Sequence, residues 1–151
     1  MSHSLCKIWV HSIFGTKYRA NIIPLEHERK IHNLMLEEFS KLDCRVREIN
    51  GTENHVHALF LLDKKYSPSK VMQQVKGVVS TKINELELLD FHFKWQVGYG
   101  AFSVSESRVK TIQDYIQRQK EHHRDNESFE DELTRFWEIY GMKWHGEKAP
   151  K

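Results

Sequence analysis

Two histidines separated by one residue stand in the apolar run NHVHALF, residues 54–60. Side chains at positions i and i+2 of a β-strand point to the same face, so His55 and His57 are expected to share a face that Val56 does not. Strand geometry separates their Cβ atoms by roughly 6.5–7 Å, across which two imidazoles can reach one cation. Two partly buried histidines that bind backbone or water would give the same pattern. No nearby Cys cluster or His-x-x-x-His spacing completes a zinc site, so a further ligand must come from elsewhere in the chain.

A second group of polar side chains lies on a helix predicted over residues 107–124. Tyr115 and Gln119 are four residues apart, which places them on one flank of that helix together with His122. A tyrosine that packs at the edge of the apolar stripe and a solvent-facing glutamine would show the same spacing. Combined with the histidine pair, Gln119 would complete a two-nitrogen, one-oxygen site for a hard divalent ion such as Mg²⁺ or Mn²⁺. Tyr115 beside such an ion would be a nucleophile directed at phosphorus.

The elements that must position these groups follow the order β-α-β-β-α-β and then two helices. Alternation and helical periodicity predict strands over 5–14, 44–50, 54–62 and 95–105, and helices over 24–42, 68–87, 107–124 and 128–141. This order predicts an α+β, ferredoxin-like (split βαβ) fold: an antiparallel sheet with helices on one face, plus C-terminal helices that carry Tyr115. We expect one domain over residues 1–144 and a disordered tail over 145–151.

Composition is that of a globular domain: 151 residues, 39% hydrophobic and 29% charged. A net charge of +2 permits a nucleic-acid partner without requiring one. No apolar run approaches the ~18 residues of a membrane helix, and the N-terminus lacks the apolar core of a signal peptide. We therefore expect a cytoplasmic protein without membrane association, in which Cys6 and Cys44 are reduced.

Several segments, in order, resemble the small single-tyrosine transposases of bacterial insertion sequences. These belong to the HUH endonuclease superfamily, named for a histidine, a bulky hydrophobic residue and a histidine, and His55-Val56-His57 matches that motif. The other similar segments are HSIFGTKYR (11–19), KGVVSTKIN (76–84), WQVGYGAFSVS (95–105), YIQRQKEHH (115–123) and SFEDELTRFWEIYG (128–141). The resemblance covers nearly the whole chain. It extends to a related branch that processes repeated extragenic palindromes, and the sequence does not separate the two.

The resemblance implies a specific reaction and a specific site. Tyr115 would attack a phosphodiester of single-stranded DNA at hairpin-bearing ends, leaving a 5′-phosphotyrosine link and a free 3′-OH that later reseals the strand. His55, His57 and Gln119 would hold Mg²⁺ or Mn²⁺. The protein would be a homodimer, and in some members the active site is composite, with the histidine pair and the tyrosine helix on different subunits. It would act in a bacterial or archaeal cytoplasm, associated with the nucleoid when bound to DNA.

Basic side chains around these segments are candidate phosphate contacts. An ordinary solvated surface accounts for any one of them about as well. They are Lys17 and Arg19 after the first strand, Lys64 and Lys65 after the histidine strand, Lys76 on the second helix, and Arg108, Lys110, Arg118 and His122 on or beside the tyrosine helix.

Three other functions are compatible with parts of the pattern. A non-catalytic protein that binds single-stranded DNA hairpins would retain this scaffold without cleavage. A histidine-nucleophile nucleotide hydrolase would need a third histidine at position 59, where Leu59 stands. A metal-binding or structural protein would need only the ligands.

Overall fold

Four strands form one antiparallel sheet in the computed structural model, which describes residues 4–124 and 127–140. The strands are β1 Ile8–Gly15, β2 Val46–Gly51, β3 His55–Leu62 and β4 Gly100–Val104, in the spatial order β2-β3-β1-β4. The helices are α1 Leu25–Lys41, α2 Pro68–Glu85, α3 Val109–Gln117, α4 Gln119–Arg124 and α5 Phe129–Ile139. The predicted β-α-β-β-α-β order and the α+β class are confirmed. The helix end expected at Gly141 and the tail over 145–151 lie outside the described residues.

Helices cover both faces of the sheet. α1 and α2 pack on the face that carries Val10, Val56 and Phe60. The opposite face carries Ile13 and Leu59 and is covered by α3 and α5. Because alternate strand residues face opposite sides, this second face also receives the side chains of His55 and His57, and the C-terminal helices lie directly over the histidine pair.

The helix predicted over 107–124 is divided in two. A 3₁₀ turn at Glu106–Arg108 precedes α3, and the backbone at Arg118 leaves the helical region (φ −98°, ψ 19°) before α4 begins. Asn50 of β2 donates from Nδ2 to the carbonyl oxygens of Ile116 and Gln117, at 3.0 and 3.1 Å. These bonds satisfy carbonyls that the end of α3 leaves free, and the break turns Gln119 inward, where it is fully buried.

Two glycines allow the close approaches that shape this region. A Cβ on Gly51 would lie 2.1 Å from the carbonyl oxygen of His55, so only glycine fits the tight connection between β2 and β3. A Cβ on Gly15 would lie 2.7 Å from Cε2 of Phe129, so glycine there lets α5 approach the sheet.

The strand predicted over 95–105 is shorter than expected. Trp95 forms an isolated bridge with Thr16, and regular pairing resumes at Gly100. Between them Gly98 has a φ of 92°, a conformation that favours glycine and ends strand geometry. Within residues 4–124 and 127–140, no helix is both long and apolar enough to cross a lipid bilayer.

Candidate active site

The histidine pair lies side by side on β3, as strand alternation predicts. Both side chains are fully buried, and their ring centroids are 5.1 Å apart. Residue 56 points to the opposite core. The arrangement therefore presents two imidazoles to the space between the sheet and the C-terminal helices.

Each imidazole is oriented through its Nδ1 atom. Nδ1 of His55 lies 2.8 Å from Oδ1 of Asn54 and 2.9 Å from Oγ1 of Thr52. Nδ1 of His57 lies 2.8 Å from Nε2 of His11, whose own Nδ1 is 3.3 Å from the hydroxyl of Tyr140. Such contacts fix the ring tautomer in metal sites, and here they leave both Nε2 atoms directed at the site centre.

Glu132 of α5 fills that centre with a fully buried carboxylate. Its Oε1 lies 3.0 Å from Nε2 of His55 and 2.9 Å from Nε2 of His57. Nε2 of His123 is 3.3 Å from the same oxygen. Burial alone would raise the pKa of Glu132, but the surrounding histidines, His57 foremost, hold that pKa well below its usual range. The carboxylate is therefore ionised.

The tyrosine and the glutamine meet the other oxygen of the same carboxylate. The hydroxyl of Tyr115 donates to Oε2 of Glu132, and Nε2 of Gln119 donates to Oε2 at 2.9 Å. Burial, and then the negative charge of Glu132, raise the pKa of Tyr115 well above its usual value. The predicted nucleophile and the histidine pair are thus linked through one carboxylate within a single chain.

The donor set fits a hard divalent cation. Burial lowers the pKa of His55 to about 4, so its ring is neutral at neutral pH. With the Nδ1 proton directed at Asn54, its Nε2 lone pair faces two acceptors, Oε1 of Glu132 at 3.0 Å and Oε1 of Gln119 at 3.1 Å. Ligands of an octahedral ion at 2.0–2.1 Å lie roughly 3 Å from one another. His55, His57 and Glu132 form a group with suitably spaced ligand atoms.

Aromatic rings enclose the site. The ring of Phe129 stacks on His55 with centroids 4.1 Å apart and planes inclined by 6°. The ring of His122 stacks on Tyr115 at 4.7 Å. Beside Phe129 a groove of about 460 Å³ runs between α5 and the loop at Gly98, with Arg19 on its rim.

The predicted phosphate contacts form two groups of four, and Arg118 stands apart from both. Lys17 and Arg19 follow Gly15, whose Cα partner in the sheet is His55, so they lie at the site end of β3. The first group also includes Lys76, which contacts the loop at Gly98, and His122, whose ring stacks on Tyr115. Four others lie towards the opposite end: Lys64 and Lys65 follow Leu62, and Arg108 and Lys110 follow β4, which ends where Val104 pairs with Trp9. Arg118 lies at the break between α3 and α4 and is exposed.

Several of these cations have protein partners. Arg19 forms an ion pair with Glu130 of α5, Lys65 with Asp43, and Lys110 with Asp114. Nζ of Lys76 donates to the carbonyl oxygens of Gln96 and Gly98, at 2.8 and 2.5 Å, so its charge braces the loop beside the groove. The ammonium of Lys17 lies 5.2 Å from the ring of Tyr18, which is 85% exposed.

Sequence reasoning missed two functional candidates on α5, Glu132 and Arg135. The sequence predicts a helix over 128–141 and assigns no site residue to it. Glu132 nevertheless lies three residues after Phe129 and four before Phe136, so it falls on the apolar face. An ionisable side chain on such a face is rarely buried without a partner, and that signal could have identified it.

The chain is similar to known proteins both in sequence and in fold. Residues 4–119 match the family model described as "Transposase IS200 like". The chain is 28% identical over 127 residues to the transposases of insertion sequence IS200 from Salmonella typhimurium strain LT2 and from Salmonella typhi, covering 80% of this chain and 82% of each relative.

Two solved structures share the fold. One is a candidate transposase from Deinococcus radiodurans R1, with a TM-score of 0.63 and 19% identity, covering 79% of this chain and 95% of that one. The other is a REP-associated tyrosine transposase bound to a REP hairpin, with a TM-score of 0.62 and 12% identity, covering 99% of this chain and 94% of that one.

Proposed function

Because the chain belongs to the family of IS200-like transposases, we propose that it cuts and rejoins single-stranded DNA at hairpin-bearing ends, using Tyr115 as the nucleophile. The observation that carries this proposal is the shared carboxylate. Glu132 contacts Nε2 of both strand histidines through one oxygen and the hydroxyl of Tyr115 through the other. A nucleophile and a cation site are therefore adjacent, as phosphoryl transfer requires.

The reaction exchanges one phosphoester for another. The phenol oxygen of Tyr115 loses its proton and forms a bond to phosphorus, while the bond from phosphorus to the 3′ oxygen breaks. That oxygen departs with the electron pair and ends as a 3′-OH, so the proton count is unchanged. The 5′ end stays attached as a phosphotyrosine, and attack by a 3′-OH in the reverse sense reseals the strand without an external energy source.

His55, His57 and Glu132 would hold the divalent ion, Mg²⁺ or Mn²⁺, with Oε1 of Gln119 as a further ligand. This set adds Glu132 to the ligands that the resemblance implies. The bound ion would polarise the phosphate and offset negative charge in the transition state. Asn54, Thr52 and His11 would keep the two Nε2 atoms directed at it.

We place the DNA along the groove beside Phe129. The exposed Tyr18 and the rings at the groove offer surfaces on which unpaired bases can stack, and Lys17 and Arg19 would contact phosphates at the same end of the sheet. His122 would lie beside the attacked phosphate, since it stacks on Tyr115. The hairpin-bound transposase with the same fold is consistent with a folded DNA substrate. Lys64, Lys65, Arg108, Lys110 and Arg118 would contact only DNA that extends beyond the site.

The catalytic groups would act within one chain. Tyr115 and His57 of the same chain contact Glu132, so a composite site is not needed to assemble them. A homodimer remains part of the proposal, because each protomer has one nucleophile and two DNA ends must be cut. Residues 1–144 would form the single domain of each protomer.

A covalent adduct tests the proposal. The protein is incubated with long circular single-stranded DNA of mixed sequence and MnCl₂, and DNA that stays attached in detergent is mapped by mass spectrometry. We expect an adduct on Tyr115 that Tyr115→Phe abolishes, while the variant keeps its DNA affinity. If parent and variant bind the DNA equally and neither forms an adduct, the non-catalytic hairpin-binding protein is the better description.

A further inference from the structure

The hydroxyl of Tyr115 has a second partner on α5 besides Glu132. Nη2 of Arg135 donates to the phenol oxygen at 2.7 Å. The guanidinium carbon also lies 5.2 Å from the centre of the tyrosine ring. The phenol oxygen therefore donates a hydrogen bond to a carboxylate and accepts one from a cation.

Glu127 holds the guanidinium in place. Nε of Arg135 donates to its Oε1 at 3.0 Å, and Nη2 donates to its Oε2 at 3.1 Å. Paired contacts between a guanidinium and a carboxylate fix both orientation and distance. Since Glu127 precedes α5 and Arg135 lies within it, the pair joins the start of the helix to its middle and presents Nη2 to the tyrosine.

The position of Arg135 matches the place where charge develops in the proposed reaction. Negative charge builds on the phenol oxygen when it gives up its proton to attack phosphorus. The same oxygen receives the electron pair when its bond to phosphorus breaks during resealing. A guanidinium does not lose its proton in proteins, so it cannot act as the base. It can donate a charge-assisted hydrogen bond to the phenolate oxygen both when that oxygen attacks and when it leaves during resealing.

We propose that Arg135 is a catalytic residue that stabilises the Tyr115 oxygen as nucleophile and as leaving group, and that Glu127 is its positioning residue. This inference rests on the proposed function. It assigns to α5 a part in the chemistry as well as in forming the cation site. Arg135 touches the reacting atom, whereas Glu127 acts only through Arg135.

The test compares single-turnover rates of adduct formation and of resealing, with circular single-stranded DNA and MnCl₂ as above. We expect Arg135→Gln to slow both steps about 100-fold, the usual loss when one donor to a developing oxyanion is removed. Arg135→Lys should retain part of the rate, because lysine keeps the positive charge but lacks the planar, paired donors of the guanidinium. Affinities for Mn²⁺ and DNA should stay at the parental level. Arg29→Gln, which removes an exposed cation from α1, is the matched control and should leave both rates unchanged.

Glu127 is tested by a double-mutant cycle. We expect Glu127→Gln to slow the parental enzyme about tenfold and to have no further effect in the Arg135→Gln background, because a positioning residue has nothing left to position. A purely structural role would instead lower the melting temperature and the fraction of active protein, and would leave the single-turnover rate constant of the folded protein unchanged.

The outcomes separate the two proposals. If the parent forms the Tyr115 adduct and Arg135→Gln forms it equally fast, the role of Arg135 is refuted and the proposed function stands. If the parent binds the DNA and Mn²⁺ but never forms an adduct, the proposed function fails, and the role of Arg135 fails with it.

Discussion

Glu132 uses its two carboxylate oxygens for different partners. Oε1 faces the Nε2 atoms of the two strand histidines, while Oε2 accepts hydrogen bonds from Tyr115 and Gln119. A carboxylate that binds a cation through one oxygen can still hold the nucleophile through the other. At the scale of single residues, this sharing would make α5 part of both the proposed cation site and the proposed nucleophile's surroundings.

Removal of a proposed metal ligand should weaken cation binding directly. We expect His57→Ala and Glu132→Gln each to lower Mn²⁺ affinity by roughly tenfold or more. Mutation of residues that only hydrogen-bond to metal ligands already lowers metal affinity by about that factor. Isothermal titration calorimetry of the folded proteins measures this. His92→Ala, which removes an exposed histidine, is the control. An unchanged affinity in His57→Ala would refute the ligand set, and an unchanged affinity in Glu132→Gln would leave Gln119 as the third ligand.

His32 of α1 should make the fold sensitive to acid. It is buried, its Nε2 has no hydrogen-bond partner, and burial lowers its pKa to about 4, although Glu28 opposes the shift. The unfolded chain takes up a proton near pH 6.5 and the folded chain only near pH 4, so stability is lost as pH falls between these values. Between pH 8 and pH 5, the free energy of unfolding of His32→Met should therefore fall by about 2 kcal/mol less than that of the parent.

Urea unfolding at a series of pH values measures this difference. Every other titratable group is the same in both proteins, so the comparison isolates His32. Parallel stability curves for parent and variant would show that His32 is protonated in the folded state.

The sequence predicted residues whose type and spacing are informative by themselves. His55 and His57 share a face because strands alternate. The four-residue spacing of Tyr115 and Gln119 indicated that they lie close together, although the chain leaves the helix between them, at Arg118. Glu132 and Arg135 escaped because their roles depend on how α5 lies over the sheet. Neither local spacing nor charge reveals that placement, although a carboxylate between Phe129 and Phe136 was an available sign.

At the scale of elements, two local interactions position α3, α4 and α5 over β3. Asn50 ends α3 by binding its last carbonyls, which turns Gln119 into the site. Ser128 begins α5 with a capping box shared with Asp131. Periodicity located all the predicted helices, but it could not place the break at Arg118, because the partner that causes it comes from a strand some 66 residues earlier.

The cap of α5 should affect both stability and cation binding. Ser128→Ala removes the bond from the amide of Asp131, at 3.0 Å, and should cost about 1 kcal/mol. Because α5 carries Glu132, we also expect Mn²⁺ affinity to fall. Ser67→Ala is the matched control: it removes an equivalent cap, on the amide of Lys70 at 3.1 Å, from a helix on the other face. It should lower stability similarly and leave Mn²⁺ affinity unchanged.

Urea unfolding and calorimetry on the same two variants decide this. Equal Mn²⁺ affinities in Ser128→Ala and Ser67→Ala would show that α5 does not help to hold the ion.

At the scale of the whole molecule, the order β2-β3-β1-β4 brings distant parts of the chain to one place. β3 carries the two histidines. α3, which follows β4 in the chain, carries Tyr115 and packs it against His57. His57 and Tyr115 have ring centroids 5.9 Å apart in the same chain. This proximity favours an active site built within one protomer.

Mixing two inactive variants tests that arrangement. If each site belongs to one chain, equimolar His57→Ala and Tyr115→Phe should form no adduct, since neither protomer holds both groups. The mixture is unfolded, refolded together and assayed with circular single-stranded DNA and MnCl₂, with co-refolded parent as the control. Recovery of about a quarter of the parental adduct or more would show that sites form between protomers.

The complete burial of His55, His57, Gln119 and Glu132 has a consequence for the fate of a cut strand. If DNA enters the site as proposed, the helices that bury these groups would also keep the phosphotyrosine away from bulk water. Hydrolysis would leave a permanent nick, whereas a 3′-OH retained in the same enclosure leads back to an intact strand. Enclosure of this kind would favour ligation over breakage.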